Sequence, residues 1–139
     1  MTIPMELQYA SRDFESFLAD VREFSGLTTR NQVYTTVQAV FQVFRRRLDL
    51  KDAIRFANVL PPVLAAIFIS DWDTDEPLLV FCDRQTMVRE AQALRRNHNF
   101  SPDTCIRDVA AALRKHVDEA SFDRVLASLP RGASDFWSV

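Results

Sequence analysis

Apolar residues recur at intervals of three and four through most of the chain. The pattern is most regular in residues 32–48 (QVYTTVQAVFQVFRRRL), where Val33, Val37, Val40, Phe41, Phe44 and Leu48 fall on one helical face. Tyr34 and Val43 widen that face, which predicts a helix with neighbours on several sides at the centre of the core. Upstream, Phe14, Phe17, Leu18, Val21 and Phe24 form the apolar side of a helix that Ser11 is expected to cap and Gly26 to end in a left-handed turn. Thr29 and Gln32 stand at capping-box spacing before the central helix. Beyond it, Asp49 is expected to cap a helix over residues 50–58. Pro61 and Pro62 then stop that helix and open another, which carries Val63, Leu64, Ile67 and Phe68.

The second half opens with an acidic, proline-terminated linker, residues 71–77 (DWDTDEP). The short apolar run 78–81 has no evident strand partner and is expected to be a packed loop or a helix start. Asp83 caps a helix bearing Met87, Ala91 and Leu94, and Asn99 stands where Gly26 stood. Ser101, Pro102 and Asp103 signal a helix with Ile106, Val109, Leu113 and Val117 on one face. Asp118 caps a last one with Phe122, Val125, Leu126 and Leu129, stopped by Pro130 before Phe136 and Trp137. The prediction is an all-α bundle of about seven to eight helices, with residues 1–10 flexible and residues 11–139 forming one domain.

The two halves resemble each other. At a spacing of 69, Val37 matches Ile106, Val40 matches Val109, Phe44 matches Leu113, Asp49 matches Asp118, and Leu60-Pro61 matches Leu129-Pro130. Upstream the best spacing is 73, which pairs Phe14 with Met87, Leu18 with Ala91 and Gly26 with Asn99. Matched caps and stops mark boundaries rather than faces, so they weigh more than matched apolar residues. They predict two half-units, about 11–72 and 83–139, joined by an acidic linker over 71–82 and related by a pseudo-twofold axis with their central helices in contact.

Composition narrows the function classes. The 139 residues are 47% hydrophobic and 26% charged with only two glycines, which suits a helical globular domain and not a turn-rich β protein. A formal charge of -2 gives no general attraction to nucleic acid or anionic lipid, so neither nucleic acid nor membrane is an expected partner. Cys82 and Cys105 are too few for a disulfide framework, and no secretory signal precedes them. The longest apolar run, residues 59–69, is broken by two prolines and is about half a bilayer span. A cytoplasmic protein with free thiols is expected.

Candidate chemistry is sparse. Asp71, Asp73 and Asp75 alternate as in a calcium loop, but no glycine follows at the sixth position and Cys82 occupies the twelfth, so a solvated linker is expected. His98 and His116 have no partners at metal-ligand spacing and read as surface or helix-terminal residues. Cys105 and His116 are separated by about 16 Å along one helix, too far for a nucleophile and its base. No cofactor is implied. The one speculative site is a basic patch of Arg45, Arg46, Arg47, Arg114 and Lys115, able to hold phosphate or an acidic peptide if both helix ends faced one side. Arg95 and Arg96 add a third cluster. Solvated C-terminal turns are the simpler expectation, as core positions are for Trp72 and Trp137.

Several of these residues also carry a resemblance. Phe17-Leu18, Val21, Gly26-Leu27, Val40-Phe41, Phe44, Arg47-Leu48, Asp52-Ala53, Phe56-Ala57, Leu60-Pro61 and the 68–72 run (FISDW) follow the order and spacing of the bacterial domain of unknown function 2267 family. Leu113, Phe122, Val125, Leu129-Pro130 and Phe136-Trp137 repeat the pattern more loosely, and the resemblance spans about residues 13–138. It implies an all-helical fold and supplies no activity. Asn99 in place of Gly26, and His116 in place of the arginine expected from Arg47, are departures. With no catalytic constellation visible, the leading expectation is a non-enzymatic helical module for protein contact or self-association. The alternative is a carrier or sensor holding a small apolar or anionic ligand between the halves.

Overall fold

The computed structural model describes residues 2–94 and 99–139. Among the described residues the protein is all-α, without strands, in nine helices: α1 (Met5–Gln8), α2 (Ala10–Ser25), α3 (Arg30–Arg45), α4 (Leu50–Ala57), α5 (Pro62–Ile69), α6 (Arg84–Ala93), α7 (Cys105–Arg114), α8 (Glu119–Ser128) and α9 (Ala133–Phe136). Seven are of eight residues or more; α1 and α9 are single turns.

The boundaries follow local chemistry. Gly26 closes α2 in the left-handed region at φ 74°, and Thr29 and Gln32 form the reciprocal capping box of α3. The side chains of Asp49, Asp83 and Asp118 accept from the backbone N–H of Asp52, Thr86 and Ser121 at the starts of α4, α6 and α8. The Asn99 amide donates at 2.7 Å to the carbonyls of Ala91 and Leu94 at the end of α6, where the Ala91 carbonyl also accepts from the Leu94 N–H.

Two expectations need correction at the helix starts. Residues 5–8 and 10 are helical, so the helical chain begins before Ser11, and Tyr9 rather than Ser11 precedes α2. Ser101-Pro102-Asp103 does not open α7, which starts at Cys105. Ser101 is instead buried, its hydroxyl 3.0 Å from that of Thr36, and the Gln92 amide holds both the Ser101 carbonyl and the Asp103 carboxylate. The buried residues of α2 are Phe17, Leu18 and Val21 and those of α6 are Met87, Val88 and Ala91. Phe14 is only half-buried and Phe24 is exposed, because the apolar stripe of α2 is narrower than its run of phenylalanines.

α3 runs through the centre, burying Val33, Val37, Val40, Phe41, Val43 and Phe44. α3 and α7 touch, but each lies more extensively against a flanking helix from the other end of the chain: α2 runs mainly along α7, and α6 along α3. The middle of the core is aromatic. Trp137, fully buried, has Phe41, Phe44, Phe56, Phe122 and Phe136 around its indole at centroid distances of 5.2–6.0 Å. Its Nε1–H has no hydrogen-bond acceptor among the described residues. No helix among the described residues is long and apolar enough to cross a membrane.

Candidate functional site

The basic C-terminal turns of α3 and α7 do not end in solvent. Arg45 is 6% exposed and donates through Nη1 to the carbonyls of Phe68 at 2.9 Å and Ser70 at 3.0 Å. Arg114 donates through Nε to the carbonyl of Trp137 at 2.9 Å and pairs with Asp123 and Glu119. Both guanidiniums serve carbonyls that a helix end has left without intrahelical partners, which is why they turn inward. Burial pulls the Arg45 pKa below its ordinary value.

Arg46 and Arg47 converge on one carboxylate of α6. Arg47, 4% exposed, donates through Nη2 to Glu90 Oε2 at 2.7 Å, while Arg46 Nη1 reaches Glu90 Oε1 at 3.0 Å. Burial works to raise the Glu90 pKa, but the two guanidiniums outweigh it and hold the carboxyl below its usual value. Lys115 and His116 meet Asp20 of α2 in the same manner, at 3.2 Å from Nζ to Oδ1 and 2.6 Å from Nε2 to Oδ2, with the imidazole edge on the Phe17 ring. Asp20 too is held low, the bonds from His116 and Lys115 overcoming the effect of burial. Every residue of the expected basic patch is thus engaged by groups of the chain itself. Arg47 lines one concavity and Lys115 another, so the two clusters do not share a site. Arg95, Arg96 and His98 lie outside the described residues.

The same arginines position the linker. The N–H of Leu79 donates to the carbonyl of Arg46 at 3.0 Å, and Arg47 Nε donates to the carbonyl of Val80 at 3.1 Å. This stretch therefore lies as a loop across the end of α3 and does not start a helix. Phe81 turns inward onto Phe44 and Phe136, whereas Leu78, Leu79 and Val80 remain 61%, 41% and 82% exposed. Their backbone, not their side chains, is what the fold grips.

Between this strap and the α8–α9 turn runs an open groove of about 560 Å³. Leu78, Leu79 and Val80 form its rim, and Phe81, Met87 and Phe136 lie deeper. Gly132, at φ 104°, lets the far wall approach: a Cβ there would sit 2.5 Å from the Cβ of Phe81. Arg84 contributes from the start of α6, its Nη2 donating to the carbonyls of Asp135, Phe136 and Ser138 at 2.6–2.8 Å. Burial, and after it the charge of Arg107, lower its pKa against the opposing pull of Asp135. Arg131 is exposed at the groove and has no hydrogen bond or ion pair among the described residues.

Other sequence candidates are inert or solvated. Asp71, Asp73 and Asp75 are exposed in the linker, where Asp73 accepts from the Asp75 N–H in a local turn. Cys105 is buried and its thiol is pushed up to about 12 by that burial, while Cys82 is exposed at the groove. Among the described residues no three His, Cys, Asp or Glu side chains stand together as metal ligands. Trp137 is a core residue; Trp72 is half-buried under the Arg45 guanidinium, 5.4 Å from its ring centroid.

Periodicity alone does not single out Glu90, which pairs with Arg47, or Arg84 and Arg131, which line the groove. Glu90 and Arg84 owe their roles to partners more than forty residues distant, and Arg131 has no hydrogen bond or ion pair among the described residues. Residues 14–136 match a family model described as "Uncharacterized conserved protein (DUF2267)". No curated protein matches the chain.

Proposed function

The chain belongs to the DUF2267 family, whose description assigns no chemistry, and from its own residues we propose that it is a non-enzymatic helical module that self-associates through the groove beside Leu78–Val80. The observation that carries this reading is the exposure of three consecutive apolar side chains on the rim of a mostly apolar groove. Their occupant is the N-terminal segment of a second copy. Ile3, Met5 and Leu7 are 63%, 72% and 53% exposed, and α1 buries no residue in its own chain. Glu6, between Met5 and Leu7, offers a counter-charge to Arg131, which has no ion pair among the described residues.

Light scattering after size exclusion tests it. The protein is expected to dimerise in a concentration-dependent way, and both Leu78→Asp/Val80→Asp and Met5→Asp/Leu7→Asp are expected to return a monomer with unchanged helical circular dichroism. A wild-type protein that stays monomeric at every concentration overturns the reading.

A second reading, a carrier for a small apolar anion, is favoured by one specific feature: Arg131, without a hydrogen bond or ion pair among the described residues, lines the same groove as Phe81, Met87 and Phe136. Saturable one-to-one binding of an anilinonaphthalene sulfonate by monomeric protein, lost in Arg131→Glu, is its expected signature. Fluorescence that does not saturate, or that Arg131→Glu leaves intact, eliminates it.

We further read the fold as two half-units of one plan, about 11–72 and 83–139, related by a pseudo-twofold axis. Supporting this, Arg45 reaches the Phe68 carbonyl and Arg114 the Trp137 carbonyl, and Asp49 and Asp118 cap α4 and α8, all at a spacing of 69. The reading predicts equal destabilisation by Val40→Ala and Val109→Ala, both fully buried positions. Costs differing by more than about 2 kcal/mol, the spread expected of unrelated core sites, would count against it.

A further inference from the structure

A second concavity, of about 430 Å³, opens on the other side of Arg84, between α6 and α7, and three of its lining residues are arginines: Arg84, Arg89 and Arg107. From that convergence we infer that it binds a phosphate group, free or carried as a monoester.

The charges are available. Arg89 and Arg107 are exposed, and neither has a hydrogen bond or ion pair among the described residues. The acidic groups nearby have hydrogen-bond donors of their own, although Asp83 still feels the charge of Arg89 and Asp108 that of Arg107. Asp103, the one carboxylate in the lining, accepts from the Gln92 amide at 2.9 Å, and Asp83 accepts from both the N–H and the hydroxyl of Thr86. Asp108, behind Arg107, accepts from the Thr104 hydroxyl at 2.6 Å and is buried, where its charge is disfavoured. Three guanidiniums in one concavity repel one another unless an anion joins them. Arg107 is close enough to Arg84 to be felt in its pKa.

The chemistry suits a tetrahedral oxyanion. Guanidinium forks match phosphate oxygens two at a time, and those of Arg89 and Arg107 offer more donors than a carboxylate can accept, while Arg84, its Nη2 held by the carbonyls of Asp135, Phe136 and Ser138, adds its charge. Thr104, at the N-terminal boundary of α7, makes no side-chain cap, so the positive end of that helix adds to the field. Gln85 supplies a further amide on the wall, and Val88 an apolar surface for the organic part of an ester. The volume falls within the range of small-ligand sites.

The test is titration calorimetry on the intact protein with inorganic phosphate and with phenyl phosphate. Saturable binding is expected, weakened about tenfold or more by Arg89→Glu/Arg107→Glu, which alters only exposed positions, and unchanged by Arg124→Glu, an exposed cation of α8 outside the concavity. Tighter binding of phenyl phosphate identifies the ester as the ligand, and equal binding the free ion; either supports the site. No saturable binding of either probe, or an equal loss in Arg124→Glu, overturns it. Because this concavity and the self-association groove are read by different variants, either can fail without the other.

Discussion

The guanidinium of Arg47, buried at the C-terminal end of α3, is met 2.7 Å away by the carboxylate of Glu90 on α6, 43 residues further along the chain. Removing one member of such a pair leaves a charge without its counter-ion. Glu90 is 19% exposed, so water would recover part of the loss. Glu90→Ala is expected to cost about 2–4 kcal/mol by urea denaturation, and Arg47→Met/Glu90→Ala less than the sum of the two single changes. A double variant that costs the full sum would show the pair to be uncoupled.

Both carboxylates that meet the basic turns, Asp20 and Glu90, have pKa values below their ordinary ones. A carboxyl depressed by folding contributes stability above its unfolded pKa and loses it as pH falls toward the folded value. The protein is therefore expected to keep its urea midpoint from neutral pH down to the ordinary carboxylate range and to lose it below. Asp20→Asn/Glu90→Gln should start lower at neutral pH and fall less. Parallel pH curves for wild type and variant would contradict this assignment.

Trp137 fills the aromatic centre, yet its indole N–H has no acceptor among the described residues. Phenylalanine keeps most of the volume and removes the unpaired donor, so Trp137→Phe is expected to lie within about 1.5 kcal/mol of wild type. Trp137→Ala, which opens a cavity, is expected to cost about 3–5 kcal/mol. A large loss in Trp137→Phe would mean that the N–H is bonded in solution.

Gly132 is the pivot of the groove wall. Gly132→Ala would strain the backbone at φ 104° and drive its Cβ against Phe81, with an expected cost of about 1–3 kcal/mol. The near-ultraviolet aromatic signal should change with it while the helical signal holds. Gly26→Ala, strained at φ 74° but with nothing within 4 Å of the added carbon, should leave that aromatic signal alone.

How much of this was readable in sequence follows from the range of each interaction. The caps of Asp49, Asp83 and Asp118 and the box of Thr29 with Gln32 act over three residues, and the chain declares them locally. The central helix was readable because its period stays regular through Phe44. The fate of Arg45, Arg46 and Arg47 was not, since a run of arginines looks alike whether its acceptors are water or the carbonyls of Phe68 and Val80. Leu78, Leu79 and Val80 misled in the opposite sense. Apolar residues suggest burial, but here the backbone was recruited by Arg46 and Arg47 and the side chains were left facing out.

The crosswise pairing of α2 with α7 and of α6 with α3 has a bearing on how the chain could be divided. Cut in the linker, each piece would keep a central helix and surrender the helix that shields it, so neither should hold a cooperative fold alone. Mixed together, they should reassemble by exchanging those helices, and a helical signal recovered only on mixing would reveal two interlocked fragments completing each other.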